Sequence, residues 1–152
     1  MAEISLNEAI GKITKLDAAI SSALSLEVAE AVRVAVSDAA ESEVYQAYEP
    51  LFESRRRENG GLTDPDNTVV TVTGTTLMAE NVTGLQNLWG GGDTSPLAPI
   101  IEDGVEAYHM PFPRPFMAYA QELLENGRAQ EALRRGLARQ GIDVDGVNFI
   151  ID

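Results

Sequence analysis

The residues able to do covalent or metal chemistry are few and scattered. The single histidine is His109, and the carboxylates nearest it in sequence are Glu102, Asp103 and Glu106. A general base must reach a nucleophile or substrate proton and be oriented by a third group, and nothing near His109 in sequence supplies that set. One histidine among dispersed carboxylates lacks metal-ligand spacing, and with 0 Cys there is no thiolate site or disulfide. Asp64-Pro65-Asp66-Asn67 brings two acids together without the fixed Gly and closing Glu of a calcium loop, so it is predicted to be a turn. Gly90-Gly91-Gly92 could approach a phosphate through bare backbone, but no Lys follows and no strand-to-helix frame surrounds it. No catalytic residue, cofactor or metal is therefore expected. Trp89 beside these glycines reads as an anchor in a contact loop.

The cations form the other chemical grouping. Arg55-Arg56-Arg57 follows a long helical pattern, and Arg128, Arg134, Arg135 and Arg139 form the densest basic patch. The balance of 24 acidic against 11 basic residues gives a formal charge of −13. Affinity for nucleic acid comes mainly from cations that neutralise phosphates, so the general surface should not grip DNA or RNA. Arg55-Arg56-Arg57, beside Glu53 and Glu58, reads first as a helix-end cap or a partner of acidic groups and second as a contact with an acidic neighbouring subunit. Trp89, Arg114, Arg128, Arg134, Arg135, Arg139, Arg55 and Arg56 are the candidate subunit-contact residues, and Gly104, Pro115 and Phe116 a candidate structural motif.

The elements that must position these residues are legible from periodicity and punctuation. Ser5-Leu6-Asn7-Glu8 has the capping-box pattern, and Leu6, Ile10, Ile13, Leu16, Ile20 and Leu24 recur at helical spacing. Ser25 reads as a second N-cap, which places a break near residues 21–25. The next helix, over residues 26–49, has a stripe of Val28, Val32, Ala35, Ala39, Val44, Ala47 and Leu51 with an acidic opposite face, and Pro50 is expected to end or kink it. Thr68 to Val82 is rich in β-branched residues and predicts a hairpin, strands 68–73 and 76–82, turning at Gly74.

Ser95-Pro96 reads as an N-cap followed by a first-turn proline, opening a short helix that Gly104 stops. Pro111, Pro113 and Pro115 then block regular structure. Pro115 opens a helix that buries Phe116, Tyr119, Ala120, Leu123 and Leu124 and ends at Gly127. Residues 128–139 make the last helix, with Ala129, Ala132, Leu133 and Leu137 inward, and residues 144–151 are a candidate terminal strand. Arg114 has two readings: pairing with Glu102 or Asp103, or facing a partner.

These elements sum to a single α+β domain over residues 1–152: two N-terminal helices, a small antiparallel β-sheet with a hairpin, and a helical C-terminal third. No apolar run is long enough for a membrane span and no signal segment is expected at the start, so the chain reads as soluble and made without export machinery.

Two ordered sets of residues carry a resemblance. The first is Val44-Tyr45, Tyr48-Glu49-Pro50, Arg55-Arg56, Gly60-Gly61-Leu62 and Asp64-Pro65-Asp66-Asn67 leading into a strand. The second is Leu97-Ala98-Pro99-Ile100-Ile101-Glu102 with Gly104, then Arg114-Pro115-Phe116, then LRRGLARQGI over residues 133–142. Together they resemble the neck and tail-completion proteins of tailed bacteriophages, the minor tail or head–tail joining components. That resemblance implies a virion protein with no chemistry of its own: a homo-oligomeric ring at the head–tail junction. Its partners would be other neck, head-closure and tail proteins, and DNA would pass through its channel without sequence-specific binding; no membrane is implied.

Charge segregation fits such an assembly. The acidic helix and the basic last helix could meet between neighbouring subunits of a ring, in the heterologous contact that ring closure requires, or one could face the lumen. A competing reading is a small soluble adaptor or regulator that binds through the Trp89 loop and the basic helix. An enzyme built on His109 is the third and weakest.

Overall fold

The computed structural model describes residues 5–47, 59–84, 95–104 and 112–147 of the chain. The N-terminal third is one continuous helical rod rather than two helices. Helix α1 (Leu6–Ala23) passes through a wide π turn at Leu24–Val28 into α2 (Ala29–Ala40), and a second π turn at Glu41–Tyr45 follows. Ser5 is the N-cap, its hydroxyl accepting from the Glu8 N–H at 3.2 Å. The expected break at 21–25 does not occur, because Ser25 uses its hydroxyl otherwise. It donates to the Ser21 carbonyl at 2.8 Å, one turn back, and Leu24 keeps right-handed helical angles. The helical conformation closes with the turn after Tyr45, short of Pro50, and Ala47 is exposed rather than part of the buried stripe.

A π turn adds one residue to a helical turn and so rotates every later side chain about the axis by about 100°. The buried face changes accordingly. Only Ala19 and Ala23 are buried in α1, whereas α2 buries Ala29, Val32, Ala35, Val36, Ala39 and Ala40. The small side chains let α2 pack closely against α4 (Phe116–Leu123) and beside the hairpin, while the end of α1 and the first π turn pack on α5 (Ala129–Arg139). Leu6, Ile10, Ile13 and Leu16 were expected to bury one face of the first helix; all four are exposed.

The hairpin matches the pattern that predicted it. Strands β1 (Thr68–Thr73) and β2 (Thr76–Asn81) pair antiparallel from Thr68↔Asn81 to Thr73↔Thr76, and Gly74 turns the chain at φ 61°. Val70, Leu77 and Ala79 lie on the core side, Val69 and Met78 on the solvent side. Among the described residues the sheet has these two strands. Residues 144–147 do not extend it: the Val147 N–H turns back on the Val144 carbonyl at 3.0 Å, and the Arg134 guanidinium donates to both carbonyls. The rest of the expected terminal strand lies outside the described residues. The fold is α+β, helices around a small antiparallel sheet.

Between rod and hairpin, the backbone of Gly61, Leu62 and Thr63 is buried and must find its hydrogen bonds locally. Asn67 Nδ2 and Thr83 Oγ1 donate to the Gly61 carbonyl at 2.9 and 3.1 Å, and Asn81 Nδ2 to that of Leu62 at 3.0 Å. Ser37 Oγ donates to the Thr63 carbonyl at 3.1 Å, and the Leu62 N–H donates to Tyr45 Oη at 3.1 Å. Asp64 accepts from the N–H groups of Gly60 and Asp66, which makes 64–67 the turn its composition predicts. Tyr45→Phe leaves the Leu62 N–H buried without that acceptor, a loss of about 1–3 kcal/mol. Urea unfolding should show a lower midpoint at unchanged slope; a wild-type midpoint would mean that Tyr45 Oη contributes nothing.

Candidate functional site

Helix α5 carries the basic patch, and the structure turns most of it inward upon the chain itself. Its crossing with the rod is close because position 136 is glycine. A Cβ there would stand 2.4 Å from Ala23 Cβ and 2.7 Å from Glu27 Oε2. That approach puts the Arg139 guanidinium on both carboxylate oxygens of Glu27 and within 3.1 Å of Ser22 Oγ. Gln140 Nε2 donates to the Ala19 carbonyl at 2.8 Å. At the other end of α5, Arg128 pairs with Asp38 of α2 at 2.6 Å.

The acidic rod and the basic helix therefore meet within one chain. At Glu27–Arg139 and Asp38–Arg128 the faces that charge segregation offers to neighbouring subunits pair within the chain, because Gly136 lets the two elements touch. Arg134 is committed to the carbonyls of Val144 and Val147, as already described. Arg135 is exposed and pairs with Glu131 one turn away at 3.8 Å. An open depression of about 430 Å³ lies between α2 and α5, lined by Glu30, Val34, Asp38, Arg128, Glu131 and Arg135. Acids and bases rim a lining that is mostly apolar, a surface suited to protein contact.

The second grouping is the predicted motif of Gly104, Pro115 and Phe116. Helix α3 (Leu97–Asp103) starts one residue later than expected: Pro96 occupies the cap, and the Leu97 N–H is held by the Thr83 carbonyl at 2.8 Å. Gly104 ends it at φ 67°. The chain returns so closely that a Cβ on Gly104 would lie 2.7 Å from both Phe112 C and Pro113 N. The Arg114 N–H then donates to the Ile101 carbonyl at 2.9 Å, and Pro115 (φ −78°, ψ 64°) makes an inverse γ-turn, with the Phe116 N–H on the Arg114 carbonyl at 2.8 Å. Phe116 enters the core with no exposed surface.

Glu102 completes this module. Proline at the cap of α4 offers no side-chain oxygen, so the first turn takes its acceptor from a neighbouring helix: Glu102 Oε1 accepts from the Met117 N–H at 2.5 Å. Burial pushes the Glu102 carboxyl above its ordinary range, helped by the charge of Asp103 and opposed by the Met117 N–H. Glu27 moves the other way, held low chiefly by the hydrogen bond from Arg139, whose own pKa the carboxylate raises.

The two shifts have opposite consequences for stability. Glu102 favours its neutral form when folded, so its contribution rises as pH falls through its raised pKa. Glu27 contributes above the ordinary carboxylate range and loses that contribution as pH falls through its lowered pKa. Glu102→Gln keeps an oxygen for Met117 without the buried charge; it should hold stability at neutral pH and remove the gain on acidification. Glu102→Ala loses the cap and about 1 kcal/mol. Chemical unfolding at two pH values separates the variants; equal loss in both would refute the cap.

Of the sequence-predicted contact residues, Arg128, Arg134, Arg135 and Arg139 share α5 and its start, and Arg114 sits in the Gly104 module with its backbone bound to Ile101. Arg55, Arg56 and Trp89 lie outside the described residues, as do His109 and Glu106. Gly136, Glu27 and Asp38 are positioning residues that the sequence does not single out, and Glu102 is singled out there as a possible partner of Arg114 rather than as the cap of α4. A glycine inside a helix costs about 1 kcal/mol relative to alanine, and that was the available signal at Gly136. Among the described residues no helix is long and apolar enough to cross a membrane, and no group of three or more His, Cys, Asp or Glu is placed to hold a metal ion.

Among curated proteins and among solved structures, nothing matches the chain. Residues 5–139 match the family described as YomN. The matched span runs from the Ser5 cap to Arg139, and so takes in the rod, the hairpin, the Gly104 module and the Glu27–Arg139 seam. This chain belongs to the YomN family, a phage-derived family of the SPbeta-prophage type.

Proposed function

We infer that this protein is a structural component of the phage neck, joining or completing the tail as one subunit of a ring around the DNA channel. The observation that carries the reading is the phage-derived family spanning residues 5–139, taken with the role of the residues behind the neck-protein resemblance. Gly61, Leu62 and Asp64–Asn67 fix the buried loop; Gly104, Pro115 and Phe116 fix the return of the last helices. These residues set backbone paths and the angles between elements, which is what a subunit repeated around a ring has to reproduce.

On this reading the protein is not an enzyme. The formal charge of −13 suits a neck component past which DNA must slide, because an acidic lumen repels phosphates. The partners are further copies of the chain and the neighbouring head-closure and tail proteins. Deleting the gene from an inducible phage tests this directly. Electron microscopy of the lysate should show DNA-filled heads and tails that fail to join, with joining restored by the gene in trans. Normal infectious particles from the deletion would overturn the reading.

A further inference from the structure

The first half of α1 stands clear of the body. From residue 6 to residue 18 every side chain is exposed apart from half-buried Ala9, over a length of about 20 Å. On this projecting segment Leu6 is 75% exposed, Ile10 52%, Ile13 67% and Leu16 43%. Such a face in water is a contact surface awaiting a cover. Further along the same ladder Ala23 is covered by Gly136 of α5, so the C-terminal end of the stripe has a partner, while among the described residues nothing covers the N-terminal end.

We propose that this face of α1 packs against α1 of a second copy of the chain, parallel and in register. Two features select that occupant. Within the projecting segment the apolar residues fall on a seven-residue repeat, with Leu6 and Ile13 at one core position and Ala9 and Leu16 at the other. The flanking charges then select parallel packing. Lys12 precedes the Ile13 core position and Asp17 follows the Leu16 position. In a parallel, in-register pair such flanking residues face each other when they are five apart, so Lys12 of each copy meets Asp17 of the other. Glu8, Gly11 and Lys15 fall on the outer side. Ala9 at a core position brings the two backbones close, and Ile10 adds an apolar flank.

This inference goes beyond the proposed function: the paired α1 helices make a two-fold contact that closes on itself, separate from the heterologous contact of a ring, and it fails or stands on the isolated chain whether or not that chain enters a particle. Because the protein has 0 Cys, single cysteines report the contact. Under mild oxidation of the whole chain, Ile13→Cys should form a disulfide dimer readily, whereas Gly11→Cys on the outer side should stay reduced. In the Ile13→Cys background, Lys12→Glu should slow cross-linking by setting like charges opposite Asp17, and Lys12→Glu with Asp17→Lys should restore it. Ile13→Asp in the native chain should abolish concentration-dependent association in light scattering, with an unchanged circular dichroism spectrum. The proposal is overturned if Gly11→Cys and Ile13→Cys cross-link equally, if the charge swap fails to restore cross-linking, or if Ile13→Asp associates as the wild type does.

Discussion

Gly104→Ala should lower stability by roughly 2–6 kcal/mol, enough to unfold a marginal domain. Two costs combine. The φ of 67° is one that L-residues adopt with strain of about 1–3 kcal/mol. The new methyl would also meet Phe112 C and Pro113 N at 2.7 Å, and these are backbone atoms that cannot rotate away. Overpacking of that kind adds about 1–3 kcal/mol. Gly11→Ala is the internal contrast: Gly11 has helical geometry and open space around its Cβ direction, so alanine there should stabilise by about 0.5–1 kcal/mol. Thermal unfolding of the two variants should move in opposite directions. A Gly104→Ala protein as stable as wild type would show that the return of the chain past α3 is not held tightly.

Phe116→Ala should cost about 3–5 kcal/mol through lost burial and an unfilled cavity. Among the described residues Phe116 is the largest fully buried side chain, and it opens α4, which packs along α2. The loss should therefore spread beyond the Gly104 module. Hydrogen exchange should show protection falling across α2 and α4 together. Exchange confined to α4 would contradict the view that Phe116 ties the C-terminal third to the rod.

How much of this was legible in the sequence depends on whether a feature is local or tertiary. The Ser5 cap, the Asp64–Asn67 turn, the Gly74 hairpin and the stops at Gly104 and Gly127 are local events decided by one residue's conformational range. Each appears where its chemistry predicts it. Ser25 was ambiguous in principle, since the same hydroxyl can cap a new helix or bond back to the turn before it. Packing of the π turn on α5 selects the second.

The arginines show the other limit. Their sign and clustering are plain in the sequence, yet their partners lie far off along the chain. Asp38 is 90 residues from Arg128, and Glu27 is 112 from Arg139. Only the Gly136 crossing makes those pairs, and a charge pattern alone fits subunit contact equally well. The apolar stripe of α1 was equally visible, and periodicity states that such a face wants a cover without saying that Leu6, Ile10, Ile13 and Leu16 stay exposed. Arg55, Arg56 and Trp89 lie outside the described residues and stay candidates from the sequence.

The central claim is that this chain is built into the phage particle as a repeated subunit at the junction of head and tail. Purified particles, washed free of soluble lysate proteins and quantified by mass spectrometry alongside a reconstruction of the neck, address it most directly. A fixed, ring-sized number of copies per particle is expected, with density for the α1–α2 rod at the head–tail junction. Infectious particles that contain none of the chain would contradict it.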